Sequence, residues 1–379
     1  MEKLMMTPGP TEVSDRVRRA MSAPILNPDL DDQFFLFYKA LTEKVQNLLQ
    51  TKNQVLIING EGILGLEAAC ASLIEKGDRV LCLSNGIFGE GFADFVRLYG
   101  GEVVIFNEDY KIPFSPDSLR DFLAKDSAFK LATIVHCETP SGLVNPIETL
   151  CPVLKEFGII TVVDAVSSIG GYVIKPDEWG IDVLLGGSQK CLSAPPGLSF
   201  MSISDQAWRV MESRKQPVVG YYANLTLWKH WFANRYFPYT QPVSDLYGFN
   251  AAVDVVLEEG IEQFALRHKT IAEKVRRTLK TAGFELFPDE KAASNTVTAF
   301  VIPDGIDDGQ FRKYLWEKCG VMIAGSWGQL AGRVWRIGHM GENCREEKVY
   351  RTFVAMDKAL REFGYKTHRT LASIYAELG

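Results

Sequence analysis

The chain has 379 residues, 46% of them apolar and 23% charged, with a formal net charge of −6. That length buries a large core and predicts two domains, and the acidic balance with no long basic run argues against a nucleic-acid partner. No apolar stretch reaches transmembrane length and no charged start precedes an apolar run, so no membrane contact and no signal peptide are expected. The seven cysteines are scattered, with no CxxC pair, so the expectation is a reduced, cytoplasmic protein without a metal site or a disulfide framework.

Thr7-Pro-Gly-Pro-Thr11 reads as an extended, turn-rich arm, and a helix is predicted from about Asp31 to Leu49. Apolar runs and amphipathic segments then alternate. Strands are expected at Val55 to Ile58, Arg79 to Leu83, Val103 to Phe106, Leu131 to His136, Ile159 to Val163, Ile181 to Leu185 and Leu198 to Ile203. Helices are expected at Leu64 to Ile74, Gly91 to Tyr99, Ser115 to Leu123 and Ile147 to Phe157. Short Val/Ile/Leu runs separated by helices predict an α/β fold, a mainly parallel sheet covered on both faces, with ligands at the carboxyl ends of its strands. An aromatic-rich section follows from Gly220 to Tyr247, then a long helical pattern, Ser244 to Ala282, interrupted near Gly260. Strands at Thr296 to Ile302, Val321 to Ala324 and Val334 to Ile337, with helices at Asp308 to Cys319 and Arg345 to Phe363, predict a small α+β domain. The expected division is therefore residues 1–283, with the arm, and residues 284–379.

The most informative segment runs from Gly186 to Gly197, Gly-Gly-Ser-Gln-Lys-Cys-Leu-Ser-Ala-Pro-Pro-Gly. It isolates Lys190 between an apolar strand and a Pro-Pro turn, where a buried amine with a lowered pKa could attack a carbonyl; alone, it could equally be a solvated loop lysine. Asp164 ends a very apolar strand, where a carboxylate needs a cation or N–H groups, either as a helix N-cap or as the anion that keeps a pyridine nitrogen protonated. Asn59-Gly60-Glu61-Gly62-Ile63 joins a strand to a helix, where Glu61, Gly62 and Ile63 are candidate cofactor-binding residues because the glycines let helix N-terminal N–H groups approach an anion; it does not match GxGxxG, and a plain turn is the simpler role. Arg336 lies in an apolar strand and demands either an internal acidic partner or a substrate carboxylate. Phe88 and Val166 could pack on the two faces of a ring, and Thr139 could bond a ring hydroxyl; core packing and a turn are the simpler roles.

Taken together, the Gly-x-Gly turn, Val-Asp164-Ala-Val-Ser-Ser-Ile-Gly-Gly, Ser-Gln-Lys190 with Ala-Pro-Pro-Gly, and Arg336-Ile-Gly resemble class V aminotransferases, from Thr7 to Gly341. The chain looks most like the alanine–glyoxylate, serine–pyruvate and pyridoxamine–pyruvate branch. The resemblance implies the fold-type I pyridoxal-enzyme fold, with a mainly parallel seven-stranded sheet and a small C-terminal α+β domain. It implies a homodimer or homotetramer with shared active sites, small amino acids such as alanine or serine as donors, and pyruvate or glyoxylate as acceptor. Lys190 would form the internal aldimine with pyridoxal 5′-phosphate, Asp164 would pair with the pyridine nitrogen, and Phe88 would stack on the ring. Thr139 would contact the ring hydroxyl, Gln189 the phosphate side, and Arg336 the substrate carboxylate. Thr240 would reach the neighbouring subunit's phosphate region, although Phe237 stands where relatives often have Tyr.

Glu61 departs from the small Ser or Thr that phosphate-binding relatives usually carry. Facing a phosphate dianion, it would cost several kcal/mol at low effective dielectric unless it turned away. The pyridoxamine–pyruvate branch resembles this chain in that turn and in Leu64 to Ala69, and it uses unphosphorylated pyridoxal and pyridoxamine as substrates. That branch, however, has a second carboxylate-binding arginine where Trp327 stands here. The alternatives carried forward are a lyase on the same fold, such as a cysteine desulfurase, in which Cys191 would have to serve, and a non-catalytic pyridoxal-binding regulator.

Overall fold

The computed structural model describes residues 3–378. Its centre is a seven-stranded sheet of β1 (Gln54–Asn59), β2 (Arg79–Ser84), β3 (Glu102–Asn107), β4 (Leu131–Val135), β5 (Ile160–Asp164), β6 (Val183–Gly187) and β7 (Leu198–Ile203), in the order β1-β7-β6-β5-β4-β2-β3. β7 runs antiparallel to both its neighbours and every other pairing is parallel. β4, β5 and β6 are buried along their whole length, which is why their residues are almost uniformly apolar and do not alternate. β3, at the edge, carries Glu102 and Asn107 exposed.

Because β7 is antiparallel to β1 and β6, those two strands point the same way as β5, β4 and β2. Glu61, Gly86, His136, Asp164 and Lys190 therefore follow strand ends on one edge of the sheet. Two helices start there earlier than their periodicity predicts, at Gly62 (Gly62–Leu73) and at Ile87 (Ile87–Leu98). Glycine-rich sequence masks both starts, and carboxylates satisfy the first N–H groups. β6 likewise extends to Gly187, two residues past the expected end. Short helices at Asp15–Met21, Asp205–Glu212 and Leu371–Glu377 went unpredicted.

The long helical pattern forms two helices, Val243–Glu259 and Ile261–Thr281, broken at Gly260, whose φ of 89° suits glycine. Beyond them β8 (Val297–Val301) pairs antiparallel with β9 (Val334–Gly338), placing Ala299 opposite Arg336. Helices Asp308–Cys319 and Glu346–Glu362 cover this ladder, with Phe311 stacked on Trp335 at 4.1 Å. The apolar cluster here also takes Leu4 and Met6 from the arm and Ile271, Val275 and Leu279 from the long helix. Leu4–Met5 pairs in parallel with Val321–Met322, so the arm is fastened to the C-terminal part of the chain. Among the described residues, no helix is long and apolar enough to cross a membrane, and no cluster of three metal-ligating side chains occurs.

Candidate active site

A cleft at the strand ends brings together Glu61, Gly62, Ile63, Phe88, Asp164, Val166, Gln189 and Lys190, with Leu66 and Ser167 completing its lining. Lys190 sits three residues beyond β6. Its Nζ donates to the carbonyl of Pro8 at 2.8 Å, so the N-terminal arm holds the amine. Gly9 packs so closely that a Cβ there would lie 2.7 Å from Nζ, and its φ of 101° also favours glycine. Burial, helped by the positive charge of Arg336, lowers the Lys190 pKa; Asp164 opposes the shift.

Asp164 closes β5. Its Oδ1 accepts the Val166 N–H at 2.9 Å, and Oδ2 has no hydrogen-bond partner among the described residues. No helix follows, so this carboxylate caps a turn rather than a helix. Burial pushes its pKa up to about 6, against the pull of the Val166 N–H and of Lys190. A buried carboxylate with one open oxygen beside a lysine of lowered pKa is a pair suited to a cationic ring nitrogen and a carbonyl carbon.

Two helix N-termini meet this pair, and each is served by a glutamate. Glu61 is the N-cap of Gly62–Leu73, its Oε2 accepting from Ile63 N at 3.2 Å and from Gln189 Nε2 at 3.4 Å. The carboxylate thus stands where a helix N-terminus would otherwise receive an external anion. Gly62 is required by close approach, because a Cβ there would lie 2.8 Å from the Val166 side chain. The second helix is capped by Glu138, which accepts from Phe88 N at 3.1 Å and Gly89 N at 2.7 Å. Burial, reinforced by the charges of Asp164 and Glu90, pushes the Glu138 pKa up to about 8 despite those two bonds. This cap fixes the residue that presents Phe88 to the cleft. The Phe88 ring meets Trp327 edge-on, with centroids 5.8 Å apart.

Arg336 lies on β9 behind Thr139. Its Nε donates to Gly325 O at 2.7 Å and its Nη1 to Thr139 O at 3.3 Å, and the guanidinium rests 4.9 Å above the Trp327 ring. It is 5% exposed, and no described carboxylate lies within ion-pair distance, so the internal salt bridge that the sequence left open is not formed. Desolvation, with Arg312 nearby, lowers its pKa to about 10. The Thr139 side chain hydrogen-bonds Ser167, which lines the cleft, while Thr139 itself lies beneath it.

Thr240 is not in this cleft. It is exposed, and its carbonyl accepts from Asn59 Nδ2 at 2.9 Å, which ties its loop to the end of β1 in the same chain. Phe237 packs in the core, stacked on Phe35 at 4.8 Å. Cys191 is buried with a raised pKa, unsuited to act as a mobile nucleophile. Sequence reading missed Glu138, Ser167 and the Pro8-Gly9 contact. Glu138 carried a usable signal, a lone carboxylate in the buried run His136 to Ser141.

A family model described as "Aminotransferase class-V" matches residues 15–343. Among curated relatives, a pyridoxamine–pyruvate transaminase of Mesorhizobium japonicum is 32% identical over 96% of this chain and 93% of its own. An (S)-ureidoglycine–glyoxylate transaminase of Bacillus subtilis is 33% identical over 94% of this chain and 90% of its own. The crystal structure of the ureidoglycine–glyoxylate aminotransferase from Bacillus subtilis superposes with a TM-score of 0.96 over 100% of this chain and 98% of that one, at 32% identity. Pyridoxamine–pyruvate aminotransferase from Mesorhizobium loti gives 0.95 over 100% and 97%, at 30% identity. With the fold, the lysine, the strand-end aspartate and a matching family model all in agreement, this chain belongs to the class V aminotransferases.

Proposed function

We propose that this aminotransferase moves an amino group between a small amino acid, alanine or serine, and pyruvate or glyoxylate, with Arg336 as the carboxylate site. The observation that carries this reading is a buried guanidinium without an acidic partner, held by two carbonyls and an indole face, and near enough to Lys190 for its charge to lower that amine's pKa. A buried arginine left unpaired is costly, and a planar carboxylate is its best partner. Trp327 adds an apolar wall rather than a second cation, which suits acids with one carboxylate.

Membership of the family implies dependence on pyridoxal phosphate. The cleft fits the pyridoxal ring: Asp164 offers an open carboxylate oxygen, and Phe88 and Val166 line the space between it and the helix ends. Bound there, the ring would supply an electron sink for the electrons of the substrate Cα. The protein's own residues do the rest. Asp164 would hold a proton on the ring nitrogen. Lys190, whose pKa burial lowers, would take a proton at Nζ from the substrate Cα and deliver it to the C4′ carbon of the bound ring. Between turns the Pro8 carbonyl accepts from the amine and keeps it in place. Arg336 would orient the substrate by its carboxylate. We further propose that the enzyme works as a homodimer or homotetramer, with Thr240 serving the neighbouring subunit.

A second reading concerns the phosphate end. Glu61 already supplies an anion to the helix N-terminus and to Gln189. This favours unphosphorylated pyridoxal and pyridoxamine as substrates that enter and leave, the activity named for one of the relatives.

Two variants test these readings by steady-state kinetics. Arg336→Gln should raise KM for the 2-oxo acid about 10- to 100-fold, the loss expected for charged hydrogen bonds worth about 1.5–3 kcal/mol; an unchanged KM would refute the carboxylate role. Glu61→Ser should shift preference from pyridoxamine toward its 5′-phosphate. A variant with the wild-type preference would refute the role of Glu61.

A further inference from the structure

Among the described residues only two arginines are buried, Arg336 and Arg276, at 5% and 8% exposure. Neither has a carboxylate within ion-pair distance. Arg276, on the helix Ile261–Thr281, makes one hydrogen bond, from Nη1 to Ser294 O at 2.6 Å. It lines a separate cleft of roughly 690 Å³ that shares no residue with the cleft at Lys190. Burial lowers the Arg276 pKa, and Tyr172, Glu273 and Glu290 oppose the shift only in part, none of the acids within ion-pair distance. Of these acids, Glu290 is engaged by Lys280 at 2.5 Å and Glu273 is exposed, which leaves Arg276 without a close carboxylate.

The rest of the cleft is built for a ligand with an apolar body. Tyr172 and Trp179 are half-buried aromatic walls, and the Tyr172 hydroxyl is fixed by the Asn295 N–H at 2.8 Å. His136 is buried, its ring 5.0 Å from that of Tyr172, and neither of its ring nitrogens has a hydrogen-bond partner among the described residues. Burial keeps this imidazole neutral, lowering its pKa to about 3. A neutral imidazole can give or take one hydrogen bond without adding charge. Exposed Glu148, Lys269, Glu273, Glu290 and Lys291 form the rim of the cleft, and its inner recognition set is one planar cation, one neutral imidazole and two ring faces.

We infer that this cleft is a second binding site, for a small carboxylate with a short apolar body such as an amino acid or 2-oxo acid, with Arg276 as its anchor and His136, Tyr172 and Trp179 as its walls. The site straddles two elements that carry the chemistry. The backbone N–H of His136 donates to the Asp164 backbone carbonyl at 2.8 Å, and the 294–296 segment leads into β8, the partner of the strand that bears Arg336.

Calorimetric titration of the purified holoenzyme with pyruvate tests this. The wild type should take up two equivalents per chain. Arg336→Gln should retain one, with unchanged affinity, and Arg276→Ala should lose that one. Should Arg276→Ala fail to fold, Arg276→Lys, which keeps the charge but not the planar fork, should bind pyruvate at this site at least ten-fold more weakly. Wild-type stoichiometry and affinity in the Arg276 variant that folds would overturn the inference. The proposed role of Arg336 is judged separately: equal stoichiometry in the wild type and Arg336→Gln would refute that role while leaving the Arg276 result to stand by itself.

Discussion

Asp164 shows how a single residue can be legible in sequence and still carry information only the fold supplies. A carboxylate ending the run Ile159 to Val163 announces itself, as do Lys190 in its Pro-rich turn and Arg336 among apolar neighbours, because each is a polar exception in a segment otherwise built for burial. What the sequence left open was the partner. In the fold, Asp164 caps a turn with one oxygen and exposes the other to the cleft, and Arg336 is held by carbonyls instead of an acid. The price is stability. With its pKa raised from 3.8 to about 6, Asp164 binds a proton more tightly folded than unfolded. The ligand-free protein should therefore lose of order 3 kcal/mol as pH rises from about 4 through 6, at about 1.4 kcal/mol per tenfold change in proton affinity. Asp164→Asn keeps an oxygen for Val166 N–H without the charge. Calorimetry on ligand-free protein should find it more stable than wild type at pH 8, with the gap closing toward pH 4. A gap that is constant with pH would contradict this assignment.

The elements were read well where their amphipathic pattern was long and poorly where a distant side chain decides a boundary. All seven strands of the main sheet lie within two residues of their expected positions, because buried parallel strands need continuous apolar runs. The helix starts at Gly62 and Ile87 were hidden, since Gly-Glu-Gly and Asn-Gly read as turns until their caps are known. Glu61 is local to its helix, but Glu138 arrives from a segment some fifty positions away, so although its own burial was legible, nothing near Ile87 marks the helix start. Its carboxylate lies so close to Gly86 that a Cβ there would be 2.2 Å from Cδ, so the two residues form one device. Glu138→Ala should leave two N–H groups unsatisfied and destabilise the protein by about 2 kcal/mol or more. It should also weaken pyridoxal binding, because Phe88 loses its fixed start. Glu138→Gln, which keeps an acceptor, should recover part of both. Denaturant unfolding and fluorescence titration measure the two effects; an Ala variant with wild-type pyridoxal affinity would separate the cap from the cleft.

At the scale of the molecule, the arm joins parts that sequence reading kept apart. Residues 4–6 pair with or pack against the C-terminal part of the chain, Pro8 and Gly9 hold Lys190, and Thr11 N–H bonds the Gln189 carbonyl. The same short segment therefore touches the lysine loop and, through the bond from Gly338 N–H to the Met6 carbonyl, the end of the strand that carries Arg336. Contacts of this kind leave no periodicity in sequence, which is why Thr7 to Thr11 read only as an extended arm. The central claim, that Lys190 is the amine through which this aminotransferase engages a pyridoxal carbonyl, has a direct measurement. Protein loaded with pyridoxal and treated with borohydride should carry one pyridoxyl mass increment per chain, mapping by peptide mass spectrometry to Lys190 and absent from Lys190→Ala, which should also be inactive. An increment on a different lysine, or a Lys190→Ala variant that transaminates at the wild-type rate, would contradict the account.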